Sequence, residues 1–164
     1  MRYLSDAGYR VFAVDFPKNV SSIDAKWLRK LIDLLQLKNL VLISPSISAP
    51  MTVEYIFQLR PEQRLIQGFV PIAPKGTEKF PAKNFRQLRI PTLIVYGEKD
   101  VKLISAVKKL RLIPHHEVFS MKNASYRSLI DQPMKFHQRL GQFLSQISRP
   151  IDLRRTHKRV LANP

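Results

Sequence analysis

Apolar positions along the chain change their period several times, and each change marks a structural element. Tyr3 to Gly8 reads as the end of a helix, with Gly8 placed as its C-cap. Tyr9 to Asp15 (YRVFAVD) is a β-branched and aromatic run that predicts a strand, closed by a turn at Phe16-Pro17-Lys18-Asn19. From Ser21 the spacing becomes helical. Ser21 and Asp24 are set as a capping box, Trp27, Leu31, Leu34 and Leu35 fall on one face, and Leu37 and Asn39 end the helix. Further strands are predicted at 39–43, 67–73, 90–96 and 117–121. Between them lie a helix at 51–59, a loop or short helix at 81–88, and a basic helix at 101–112 that Pro114 breaks. Met134 to Ile147 is amphipathic and presents Phe136, Leu140, Phe143, Leu144 and Ile147. Strands alternating with helices at this spacing predict an α/β fold, a mostly parallel five-stranded sheet flanked by helices.

Composition narrows the classes of function. A chain of 164 residues is one domain by length and buries roughly two thirds of the surface its unfolded form exposes. Residues 1–147 are expected to form that domain, and 148–164 lacks a core pattern and reads as a basic, disordered tail. There is no Cys and the four His are scattered, so neither a disulfide framework, a metal site nor a bound cofactor is implied. No apolar run approaches the roughly 20 residues of a membrane span, and no basic-then-apolar leader opens the sequence.

The formal charge of +16 is spread through the chain: residues 1–148 hold 23 Lys/Arg against 11 Asp/Glu. Such a surface adheres to polyanions at low salt. No helix-turn-helix, RNP-like aromatic pair or zinc spacing points to specific nucleic-acid binding. A cytoplasmic location is expected, with Arg154 to Arg159 as a candidate nuclear signal.

The stretch that carries chemistry is Asn39 to Leu59. An apolar strand (NLVLI) meets a sharp polar break (SPSIS), and a helix follows. A serine at the tip of such a turn stands up from the carboxyl edge of a parallel sheet, beside the first N–H groups of the helix. The plainer alternative is that Ser44, Ser46 and Ser48 merely cap the helix, with Pro50 in its first turn.

Three stretches together resemble successive parts of the alpha/beta-hydrolase fold: NLVLISPSISA (39–49), GFVPIAP (68–74) and PTLIVYGEKD (91–100). The Ser-Pro-Ser-x-Ser elbow followed by Gly-Phe-Val-Pro-x-Ala-Pro is similar, more specifically, to the alpha/beta hydrolase domain-containing protein 14 subfamily, over roughly residues 1–147. The resemblance implies an incomplete alpha/beta-hydrolase fold, truncated before its first three strands. In that fold's strand order the third strand lies between the segments matching 9–15 and 39–44, so those two either pair directly or leave unpaired edges. It also implies a serine hydrolase of carboxylesterase or deacetylase-like type, acting on a small acyl or ester substrate or an acetylated protein.

By motif, Ser46 would be the nucleophile, Asp100 the carboxylate that orients the base, and the Ile47 backbone N–H one oxyanion donor. The base is expected in a stretch resembling Lys-x-Ala-Gly-His. Here that stretch is Lys122-Asn123-Ala124-Ser125-Tyr126, so Tyr126 occupies the histidine position. A phenol with a pKa near 10 is neutral at pH 7 and accepts a proton poorly. No other histidine replaces it: His115 and His116 precede the last strand, His137 sits beside the apolar stripe of the last helix, and His157 is in the tail. The second oxyanion donor belongs to a loop in the missing strands. The resemblance therefore implies either an impaired serine hydrolase or a pseudoenzyme that keeps the scaffold for a protein partner.

Overall fold

In the computed structural model, described over residues 2–15, 24–60, 65–125 and 132–148, four of the five predicted strands form. They are β1 (Leu40–Pro45), β2 (Ile66–Ile72), β3 (Thr92–Gly97) and β4 (His116–Met121). They lie in the order β1-β2-β3-β4, and every pair is parallel. Six of the seven β2 residues are buried, as are five of the six in β3. Continuous apolar runs of this kind belong to a sheet covered on both faces. Pro71 stands inside β2 opposite Ser44. The N–H groups of Phe69 and Ala73 donate to Pro91 and Val95 of the β3 side (2.9 and 2.8 Å), so Pro71, lacking an N–H, omits the rung between them.

Two layers of helix close the faces. On one, α2 (Ala25–Leu34), α3 (Ala49–Phe57), α4 (Ala82–Gln87) and α5 (Ile104–Leu110) enclose a core containing Leu28, Ile32, Tyr55, Phe85, Leu110 and the strand residues Phe69 and Ile94. On the other, α6 (Pro133–Ile147) buries Phe136, Leu140, Phe143 and Leu144 against Val70, Leu93, Val95 and Met121. This is the stripe its spacing predicts. The short α1 (Arg2–Asp6) ends as expected at Gly8, whose φ of +85° belongs to the left-handed region. Tyr9 N–H bonds Leu4 C=O and Gly8 N–H bonds Ser5 C=O, the pairing that closes a Schellman motif.

Three expectations need correction. Residues 9–15 form no strand, and among the described residues the sheet has four strands rather than five. A strand exists only as part of a ladder, and this segment has no partner in the sheet; Phe12 and Val14 remain 42% and 41% exposed. Residues 9–15 and β1 therefore do not pair, and among the described residues β1 bonds only β2. Second, the N-cap of α2 is Asp24 rather than Ser21: the Asp24 carboxylate accepts the Trp27 N–H at 2.9 Å. Third, its buried face is Ala25, Leu28 and Ile32, and Leu34 is 80% exposed. Ser21, Tyr126, His157 and the tail from 149 lie outside the described residues.

Two glycines set how closely elements approach. A Cβ on Gly68 would come within 2.7 Å of Ile147 Cδ1, a flexible side-chain tip on α6. A Cβ on Gly97 would come within 2.0 Å of the Ser125 carbonyl oxygen, which is backbone and cannot step aside. Gly97→Ala is expected to lower stability by about 3 kcal/mol and Gly68→Ala by about 1 kcal/mol or less, because only the first clash requires the main chain to move. Urea unfolding midpoints of the two variants check this. Equal shifts would show that the chain after β4 is not held against the end of β3.

Candidate active site

The turn after β1 has the backbone that a nucleophile elbow requires. Ser46 follows Pro45 directly and takes φ +52°, a left-handed conformation that costs a non-glycine residue roughly 1–2 kcal/mol. A single 3₁₀ turn (Ser46–Ser48) then feeds α3, with proline in the helix's first turn. Strain at one residue persists only if its surroundings fix it. Here the Ser46 carbonyl accepts N–H bonds from Ala49 and, at 3.2 Å, from Lys75 in the turn after β2.

The three serines have three different tasks. Ser44 is buried and its hydroxyl lies 2.7 Å from Thr52 Oγ1 on α3. Thr52 donates its own proton to the Ser48 carbonyl at 3.2 Å, so Ser44 is the donor of the pair. The Ser48 hydroxyl turns back to the Pro45 carbonyl at 2.7 Å. Neither caps α3, whose N-terminus has no side-chain cap. The plain capping alternative is thereby set aside. Among the described residues the Ser46 hydroxyl makes no side-chain hydrogen bond, and it is partly exposed.

Asp100 occupies the same edge of the sheet. Pro45, Ile72, Val95 and Phe119 sit level across the four strands, and Gly97 ends β3 two residues beyond that level. Ser46 and Asp100 therefore both leave the carboxyl ends of parallel strands, with β2 alone between them. At the usual strand spacing β1 and β3 are about 10 Å apart. The Asp100 N–H bonds the Gly97 carbonyl (3.0 Å), and Leu103 N–H bonds the Asp100 carbonyl (3.2 Å), which fixes a tight turn ahead of α5.

The exit of β4 bends toward that turn. Glu98 N–H donates to Met121 C=O and Lys99 N–H to Ala124 C=O, both at 3.1 Å, and Ser125 is laid over Gly97. The chain is thus delivered to the Asp100 turn one residue before position 126. Ile47, the residue expected to give its N–H to an oxyanion, presents an 80% exposed side chain at the opening of the turn.

The remaining histidines are elsewhere. His115 and His116 are at the amino end of β4, where the His115 carbonyl accepts the Thr92 N–H and His116 Nδ1 lies 2.6 Å from the Ile113 carbonyl. His137 stacks on Tyr3 with ring centroids 4.7 Å apart and planes 8° apart. A concavity of about 590 Å³ adjoins that stack and another of about 520 Å³ adjoins His115 and His116; neither includes Ser46 or Asp100.

Sequence reasoning missed the parts that hold the turn: Thr52, the Lys75 N–H and the close approach at Gly97. Thr52→Val leaves the Ser44 hydroxyl buried without an acceptor and should cost about 2 kcal/mol. Adding Ser44→Ala should recover part of it, since the pair acts as a unit. Thermal unfolding of the two single variants and the double variant measures the coupling, and simple additivity would show that the two hydroxyls are energetically independent.

No family model matches the chain. Among curated proteins, it is 34% identical over 157 residues to rat ABHD14B, a provisional protein-lysine deacylase, covering 88% of this chain and 73% of that one. It is 35% identical over 158 residues to rat ABHD14A, covering 90% and 64%. The match to human ABHD14B is 34% over 153 residues, 86% of this chain and 71% of that one. The chain thus spans between about three fifths and three quarters of these relatives' length. Solved structures share the fold at lower identity: MenH from S. aureus superposes with a TM-score of 0.66 at 13% identity over 81% of each chain. The alpha/beta hydrolase MGS-MChE2, from a lagoon-sediment metagenome, gives 0.65 at 16% identity over 74% and 68%. On the elbow, the strand order and these relatives together, the chain belongs to the ABHD14 family of alpha/beta-hydrolases.

Proposed function

We propose that the chain is a serine hydrolase by descent whose acyl transfer through Ser46 is strongly slowed. The observation that carries this reading is the left-handed Ser46 turn on the same sheet edge as Asp100. In the complete reaction Ser46 Oγ attacks an ester or acyl-amide carbonyl, its proton passes to a base, and the Ile47 N–H faces the oxygen that becomes negative. The leaving alcohol or amine takes that proton, and water later hydrolyses the acyl-Ser46 ester. The position that follows Ser125 in chain order carries Tyr126 where the base is expected. A neutral phenol accepts the serine proton poorly. What a site without its base retains is the roughly 10³–10⁴-fold acceleration from positioning and oxyanion binding. The candidate substrates are acylated lysine side chains, the class named for ABHD14B, and simple acetyl esters.

A fluorophosphonate probe reads the nucleophile without requiring turnover. Slow labelling of the wild type that Ser46→Ala abolishes is expected, and a wild type that stays unlabelled would sink the proposal. Tyr126→His supplies an imidazole at the base position. It should raise hydrolysis of p-nitrophenyl acetate by about tenfold or more, still dependent on Ser46. No gain would place the deficit elsewhere than at Tyr126.

A second reading follows from the same substitution: the scaffold serves as a binding module, and the cytoplasmic or nuclear partner is a protein. Ser46-dependent ester turnover by the wild type would argue against it.

A further inference from the structure

The edge of the sheet that carries Ser46 also carries an aliphatic ridge that the hydrolytic reading leaves unused. Ile47 is 80% exposed, Val101 69% and Ile104 51%. The three are not scattered. Ile47 opens the way into α3, Val101 and Ile104 open the way into α5, and both helices pack on one face of the sheet in a shared core. The 3₁₀ turn Thr77–Lys79 touches both helices between them. Large aliphatic side chains exposed together on one rim mark a contact surface more often than isolated ones do.

Cations border the ridge. The turns leaving β2, β3 and β4 expose Lys75, Lys99, Lys102 and Lys122. Against them stand Glu98 and Asp100, while Glu78 and Lys79 of the intervening turn offset each other. An aliphatic ridge inside a net positive rim matches the chemistry of an interfacial lipid contact: apolar groups enter the boundary between headgroups and acyl chains, and ammonium groups meet lipid phosphates and carboxylates. An acidic protein surface would engage the lysines but gives no reason for three exposed aliphatics among them.

We propose that the carboxyl rim of the sheet docks on an anionic bilayer surface, with Ile47, Val101 and Ile104 entering it and Lys75, Lys99, Lys102 and Lys122 facing the headgroups. The contact turns the Ser46 hydroxyl toward the lipid. It does not depend on Ser46 being reactive.

Co-sedimentation of the whole chain with vesicles tests this, comparing phosphatidylcholine alone with a mixture containing about 30% phosphatidylserine at about 150 mM salt, where diffuse attraction is screened. Binding is expected to the mixed vesicles only. The triple variant Ile47→Ser, Val101→Ser, Ile104→Ser keeps the charge and should lower partition by about tenfold or more. Ile47→Ser alone should act in the same direction. Leu34→Ser, equally exposed but on α2, and Ser46→Ala should leave partition unchanged, and unchanged melting of every variant certifies the fold. Absence of binding, equal binding of the triple variant, or equal loss with Leu34→Ser would overturn the proposal, reducing any residual binding to general adhesion of a +16 chain. An equal loss of poly-glutamate binding in the triple variant would also overturn it, assigning the ridge to an acidic protein. Fluorophosphonate labelling in the absence of vesicles reports on Ser46 separately, so either idea can fail without the other.

Discussion

A chain that leaves a parallel strand and enters a helix almost at once must reverse its course within a residue or two. In this protein Ser46 makes that reversal, at φ +52°. Nothing intrinsic to serine favours the conformation, so the cost is met by bonds that would be lost if the turn relaxed. Lys75 N–H holds the Ser46 carbonyl from the β2 side, and the Ser44–Thr52 pair holds the strand to the helix from below. The neighbouring exits depend on similar departures: Ala73 after β2 and Asn123 after β4 also have positive φ, at 43° and 60°. Three of the four strands thus bend sharply off the same edge, and the fourth needs a glycine, Gly97, because another main chain crosses it. The rim is a set of interlocked turns rather than four independent loops.

That interlocking separates geometry from chemistry. The contacts that fix Ser46 in its strained state come from backbone N–H groups and from Ser44 and Thr52, none of which takes part in moving a proton. A change at the base position leaves all of them in place. An elbow of this construction can persist whether or not the proton is moved, so its presence reports ancestry more securely than turnover.

How much could be read from the amino-acid sequence follows from where each property resides. β2 and β3 were legible because a strand covered on both faces must be apolar at nearly every position, while the edge strands β1 and β4, each with one buried residue, were legible as short runs bounded by turn residues. Residues 9–15 have equally suitable side chains and still form no strand, because ladder partners are a property of the assembled sheet. The face of α2 failed on phase. Trp27, Leu31 and Leu34 make as good a stripe as Ala25, Leu28 and Ile32, and only the packing of α2 on α3 selects the second, where small Ala25 is fully covered. The Ser46 turn was legible through the motif around it. Thr52 was not, since a threonine in mid-helix normally says nothing about a strand eight residues earlier.

The two ends of the sheet differ in a way that composition hides. The overall charge gives no direction. At the amino end polar groups are engaged by the backbone or by each other: His116 lies against the Ile113 carbonyl, Thr92 Oγ1 donates to Ile90 C=O at 2.9 Å, and the Glu117 carboxylate is paired with Arg139 of α6. Such groups fix the closure of the fold. At the carboxyl end the backbone satisfies itself through the interlocked turns, and among the described residues the Ser46 hydroxyl makes no side-chain hydrogen bond while the Ile47 and Val101 aliphatics stand exposed. The strained turns are what free them. A rim built by main-chain bonds can expose reactive and apolar groups together without calling on any of them for stability, so those side chains can change function while the sheet beneath remains the same.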